Sequence, residues 1–175
     1  LDKKDTKKEI SIDKVNVIDA ADFYETSFGV DLQHFEEDGK EFDYLTNFFS
    51  AGMRAVFQLN VLHEGDYDIA FRYTYSGEAM PLGSVMSVAV SNIVQPLSSE
   101  NIENTKSFVM SEKSRIHLQK GVVYLRIIME RTPAPAIAGF VLSKSTEGSL
   151  MKEHQSAIRK KKTPSRPGLL EEFSD

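Results

Sequence analysis

The chain has no cysteine and no tryptophan among its 175 residues. Lacking cysteine, it has no disulfides, cysteine-based zinc sites, iron–sulfur clusters or thiol nucleophile. The compartment stays open on this ground, because secreted proteins also lack cysteine. Lacking tryptophan, it is without the largest ring that stacks onto ligands. No apolar run nears the roughly 20 residues of a membrane-spanning helix. The charged stretch Leu1 to Lys8 is not a signal peptide. A formal net charge of −5 weighs against nucleic acid as a partner. No membrane and no nucleic acid are therefore expected. The chain starts at Leu1 rather than Met, which reads as a fragment or a processed product.

Charge divides the chain into three parts. Residues 1–14 carry five Lys against four acids, and residues 144–175 carry seven Lys or Arg against five acids. The middle, 15–143, is left with a net charge of −8 and holds every aromatic residue except Phe173. A core needs aromatic area, so the folded domain is expected at 15–143. Residues 1–14 read as a charged extension. Residues 144–175 read as a flexible charged tail or linker, partly helical over Glu147–Lys162 and basic at Arg159–Lys162.

The middle part reads as strands. In Arg54–Val61, residues Ala55, Phe57, Leu59 and Val61 share one face. In Asp66–Tyr73, the shared face holds Tyr67, Ile69, Phe71 and Tyr73. The turn at His63-Glu64-Gly65-Asp66 suggests that these two segments form an antiparallel hairpin. Val85–Val90, Ile116–Leu118, Val122–Met129 and Ala136–Ser143 add further strands, with shorter ones near 15–20, 41–46 and 106–110. Turn signals recur between them and no long amphipathic helix intervenes. About eight or nine such strands predict an all-β fold, an antiparallel β-sandwich of the jelly-roll kind.

Little in the sequence is catalytic. His34, His63, His117 and His154 share no metal-ligand spacing, and there is neither a nucleophile elbow nor a phosphate loop. The acids Glu36, Glu37, Asp38, Glu41 and Asp43 are close in sequence and read as a solvated acidic loop, with calcium as the competing reading. The aromatics say more. Neighbouring side chains of a strand face opposite ways, so Phe23-Tyr24 and Phe48-Phe49 cannot both bury their rings. Tyr24 and Phe49 are the candidates for exposed rings. An exposed ring beside polar groups can hold a sugar or a protein partner.

The order of segments resembles the family-6 and family-35 carbohydrate-binding modules, which have a galactose-binding-like β-sandwich. The resemblance rests on Ile18-Asp19-Ala20-Ala21-Asp22-Phe23 followed by Gly29-Val30. It continues through Glu64-Gly65-Asp66-Tyr67-Asp68-Ile69-Ala70-Phe71-Arg72-Tyr73, then Ile116–Arg126 and Ala136–Leu142. It covers roughly 15–143. It implies a non-catalytic module that binds a poly- or oligosaccharide, as an accessory domain of a larger, extracellular or cell-surface protein. It also implies site residues. Tyr44 matches the tyrosine that grips the sugar, and Phe108 stands nearest the usual tryptophan. Asp19 matches an acid of calcium-binding members, so a structural calcium is the one cofactor implied. The usual asparagine and aspartate of the last strand are replaced by Ala136 and Ala138.

The expected ligand-binding residues are thus Tyr44, Phe108, Tyr24 and Phe49, with Asp19 for calcium. The alternative is a protein-interaction or assembly domain on the same sandwich, reaching a partner through the C-terminal tail. A catalytic jelly roll ranks below both.

Overall fold

The computed structural model describes residues 7–146. Its strands are β1 (Lys8–Ile10), β2 (Asn16–Asp19), β3 (Glu25–Thr26), β4 (Asp31–Glu37), β5 (Lys40–Thr46), β6 (Arg54–Val61), β7 (Gly65–Thr74) and β8 (Met80–Pro81). They continue with β9 (Met86–Val90), β10 (Ile93–Gln95), β11 (Asn101–Ile102), β12 (Val109–Met110), β13 (Ser114–Leu118), β14 (Gly121–Met129) and β15 (Ala136–Lys144). One sheet runs β1-β6-β14-β9-β10, with β3 also on β6. The second runs β12-β7-β15-β5-β4, with β13 on β7 and β2 on β15. The small β8–β11 pair stands apart.

The apolar faces expected from alternation meet between the two sheets. Ala55, Phe57, Leu59, Val61, Val123, Leu125 and Ile127 are buried from the first sheet, and Tyr67, Ile69, Phe71, Phe140 and Leu142 from the second. The Phe57 ring meets Phe140 edge-on, with centroids 5.0 Å apart, and so ties sheet to sheet. Each such ring contributes roughly 1.5–3 kcal/mol by leaving water. The fold is the all-β sandwich that the sequence implies.

Three expectations need correction. Arg54–Val61 and Asp66–Tyr73 do not pair with each other. β6 pairs with β14 and β7 with β15, in opposite sheets. The short connection between them is a corner from one sheet to the other, and β13 to β14 turns the same way beside it, with Val61 opposite Gly121 and Leu118 opposite Gly65. The acidic residues near 36–43 are not a loop. They lie on the β4–β5 hairpin, turned by Asp38-Gly39 with both residues at positive φ. The folded unit also begins before residue 15. β1 runs parallel to β6, and Ile10 is fully buried. The compact unit of the sandwich closes at Lys144. The expected helix over Glu147–Lys162 and the basic run lie outside the described residues.

One strand handover shapes the second sheet. β5 meets β15 at Leu45–Ile137 alone, after which β2 takes over opposite residues 139–142. A bulge between Ile137 and Gly139 marks the change. At Gly139, φ is +143°, and a Cβ there would overlap the Ile18 carbonyl oxygen. Glycine is thus required for β2 to come this close. Asn16 pins β2 from the other end. Its Nδ2 donates to the carbonyls of Ser11, Lys14 and Leu142, and its Oδ1 accepts from the Ser11 N–H.

Candidate functional site

The outward face of the first sheet carries a cleft of about 630 Å³. Its floor comes from alternation. On β6 the outward residues that line it are Arg54 and Val56, and on β14 they are Tyr124 and Arg126. The register sets Tyr124 opposite Gln58 and Arg126 opposite Val56. Its wall is the segment Tyr24–Phe28, held on the β6 edge by Tyr24 N–H donating to Val56 O at 2.7 Å and Ser27 N–H to Arg54 O at 3.0 Å. Asn92 of the β9–β10 turn, at positive φ, closes the far side.

Inside the cleft, Tyr24 and Tyr124 lie with centroids 5.3 Å apart and planes tilted by 60°. The Gln58 Nε2 donates to the Tyr124 hydroxyl at 3.1 Å. Gln58 Oε1 and Arg126 Nη1 are both shielded from solvent and accept or donate no hydrogen bond within the protein. The two atoms belong to the polar row that Gln58, Tyr124 and Arg126 form on the outward face of the first sheet.

Phe28 stands at the rim, 95% exposed. Its loop is not slack. Asn47 Nδ2 donates to Gly29 O at 2.8 Å, and Arg54 N–H donates to Ser27 Oγ at 2.9 Å. The Phe49 ring lies against Gly29, where φ is +96° and a Cβ would sit 2.7 Å from Phe49 Cε2. Phe28 thus adds exposed apolar area beside the cleft it lines.

The four expected ligand-binding residues fall into separate places. Tyr24 lines the cleft. Phe49 is 62% exposed and braces the loop that carries Phe28. Tyr44 and Phe108 come together on the second sheet, with centroids 5.2 Å apart. They join Phe35 and Phe42 in a half-buried cluster, and the Arg72 guanidinium lies 4.4 Å from the centre of the Phe42 ring. Rings in such contact leave no gap for a sugar between them, so Tyr44 and Phe108 present a joint surface. Of the two adjacent pairs, Phe23 and Phe48 are buried, Phe49 is exposed and Tyr24 is half-buried along the cleft.

Asp19, expected as a calcium ligand, is the last residue of β2. It precedes the 3₁₀ turn Ala20–Asp22, where its N–H donates to Asp22 Oδ2 at 2.9 Å. Among the described residues no group of three or more His, Cys, Asp or Glu is placed to hold a metal ion. His34 and His117 each sit between two carboxylates instead. His34 bonds Asp43 at 3.1 Å and Glu41 at 2.9 Å, and His117 bonds Asp66 at 2.9 Å and Glu64 at 3.1 Å. These bonds hold both imidazoles above their ordinary pKa of 6.5. Both clamps are exposed and tie strand to strand.

Tyr124, Gln58, Arg54, Arg126 and Phe28 escaped the sequence reading. The signal was present in the polar positions of β6 and β14, which share one face, but an outward polar face is the default for a half-buried strand.

No family model matches the sequence, and no curated protein matches it. Solved structures do match in fold. A family 35 carbohydrate-binding module from Clostridium thermocellum superposes with a TM-score of 0.58 at 16% identity, over 74% of this chain and 97% of that one. The family 35 module from Paenibacillus barcinonensis gives 0.58 at 15% identity, over 75% and 99%. A module from Cellvibrio mixtus lichenase 5A, in complex with cellotriose, gives 0.56 at 15% identity, over 74% and 96%. The described domain therefore has the β-sandwich fold of the family 6 and family 35 carbohydrate-binding modules.

Proposed function

We propose that the domain is a non-catalytic glycan-binding module, and that its ligand lies in the cleft over Tyr24 and Tyr124. The observation that carries this reading is the pair of tyrosine rings, Tyr24 and Tyr124, set beside Arg54, Arg126 and Asn92 in one open cleft. The tyrosines offer apolar faces to a pyranose, and the side chains of Arg54, Arg126 and Asn92 offer bonds to its hydroxyls. Phe28 adds apolar area at the rim. The fold supports the same reading, because it is shared with modules named for carbohydrate binding. An accessory role in a larger, extracellular glycan-acting protein is part of the same proposal, supported by the fold likeness to a module of a lichenase.

The Tyr44–Phe108 surface is a second candidate, favoured by the clustering of four rings around it. Titration of the protein with a glycan panel and soluble polysaccharides tests the proposal. Tyr24→Ala and Tyr124→Ala should weaken binding at least about tenfold, and Tyr44→Ala should leave it unchanged. Loss on Tyr44→Ala alone would move the site to the second sheet. No glycan bound at millimolar concentration by the folded protein would overturn the reading.

A further inference from the structure

Asn92 closes the cleft from the β9–β10 turn, and the placement of that turn depends on a contact outside the cleft. Val90 of β9 pairs with Ile93 of β10, which leaves Ser91 and Asn92 as a two-residue turn. Both have positive φ, +47° and +72°. A turn of this kind is tight and favours Asn. Ser91 N–H donates to Tyr124 O at 2.9 Å, which fastens one side of the turn to the strand that carries a cleft tyrosine. The other side leads into β10, the edge strand of the first sheet. Burial does little to hold β10, because Ile93 and Val94 are both 65% exposed.

A polar clasp holds it instead. Gln95 lies opposite the buried Val88, so its side chain points inward from the first sheet. There it meets His117 of β13, a strand whose ladder is with β7 in the second sheet. Gln95 Nε2 donates to His117 O at 2.8 Å, and Gln95 Oε1 accepts from the His117 N–H at 2.6 Å. One amide thus takes both main-chain groups that an adjoining strand would otherwise pair. The chain then follows the same edge, where Ser98 N–H donates to Ser114 Oγ at 2.8 Å. His117 is itself fixed, since its ring bonds Asp66 and Glu64. The clasp therefore ties the hairpin that carries Asn92 to the second sheet.

We propose that Gln95 is a positioning residue for the cleft: by holding β10 on His117, it sets Asn92 where it meets the hydroxyls of a glycan bound over Tyr24 and Tyr124. The inference rests on the glycan-binding reading of that cleft. Gln95 is not among the residues that line the cleft, so it acts through Asn92, which is exposed there.

The test uses the full chain and the oligosaccharide of the glycan panel that binds it most tightly, with affinities from calorimetry. Gln95→Ala should weaken binding roughly three- to tenfold, the scale of one misplaced hydrogen bond. Asn92→Ala should weaken it to the same degree, and the double variant should bind no more weakly than Asn92→Ala alone. Gln95→Met keeps the length and packing of the side chain and loses both bonds. It should repeat the loss seen with Gln95→Ala, and it replaces that variant if Gln95→Ala fails to fold. In the NMR spectrum of the free protein, the Asn92 side-chain amide should shift in Gln95→Met while the Tyr24 ring does not. Unchanged affinity in the folded Gln95 variants, no loss on Asn92→Ala, losses that multiply in the double variant, or an unmoved Asn92 amide would each overturn the positioning role and leave the glycan reading standing. No glycan bound by the unaltered protein would overturn the glycan reading and this inference with it.

Discussion

The inter-sheet contact of Phe57 and Phe140 provides a quantitative test of the sandwich. Phe140 is 1% exposed and Phe57 is fully buried, one from each sheet, and their rings meet at 5.0 Å with planes 88° apart. Phe140 also approaches Phe71 at 6.2 Å within its own sheet. Phe140→Ala removes a ring whose neighbours are braced on both sides and leaves a cavity that cannot collapse freely. Truncations of this kind cost about 3–5 kcal/mol. A domain of this size has about 5–15 kcal/mol of stability in all, so the variant should fold but be marginal. At about 2–4 °C per kcal/mol, the melting temperature should fall by roughly 6–20 °C. Urea unfolding by circular dichroism gives the free energies. A cycle with Phe57→Ala isolates the ring–ring contact, which should couple the two sites by about 0.5–1.5 kcal/mol. Additive effects, or a cost for Phe140→Ala below about 1 kcal/mol, would refute the packing of these two sheets through this pair.

Other consequences follow from single residues. Gly139→Ala should destabilise the domain by about 1–3 kcal/mol in the same assay, because a Cβ collides with the Ile18 carbonyl; a neutral result would mean β2 does not lie where the fold puts it. Tyr24→Ala should cost binding and little stability, since Tyr24 faces the cleft; a comparison of affinity with melting temperature decides it. His117, hydrogen-bonded by Asp66 and Glu64, should titrate above 6.5 by NMR. A raised folded pKa means that its clamp stabilises fully at pH below about 6.5 and that the contribution is lost as pH rises through the folded value. His117 is partly exposed, so the effect should stay below about 1 kcal/mol. His117→Gln should flatten that step, and a pKa at or below 6.5 would contradict the geometry.

Strands were readable where one face is apolar at every second position, as in Arg54–Val61 and Val122–Met129. Their partners were not. Leu62-His63-Glu64 is short enough for a hairpin turn, yet it serves as a corner between sheets, and local sequence does not distinguish the two when both strands bury one face. β4 was missed because Leu32 and Phe35 break strict alternation, although Asp38-Gly39 is a strong hairpin turn signal. The acids around that turn read as a solvated loop instead. For the site, the alternation rule says only that one ring of Phe23-Tyr24 and one of Phe48-Phe49 faces outward, and neither pair lies on a strand. It could not find Tyr124 or Arg126, because which outward face is covered, concave or bare depends on Tyr24–Phe28 folding back over β6. That placement is a tertiary fact with no local signature.

The central claim is that the tyrosine-lined cleft of the first sheet is a glycan site. The most direct measurement is an NMR titration of the isotopically labelled protein with the best-binding oligosaccharide from the panel. The account predicts saturable shifts at Tyr24, Tyr124, Arg126 and Asn92, with Tyr44 and Phe108 unmoved; shifts confined to Tyr44 and Phe108, or no shift at millimolar ligand, would contradict it.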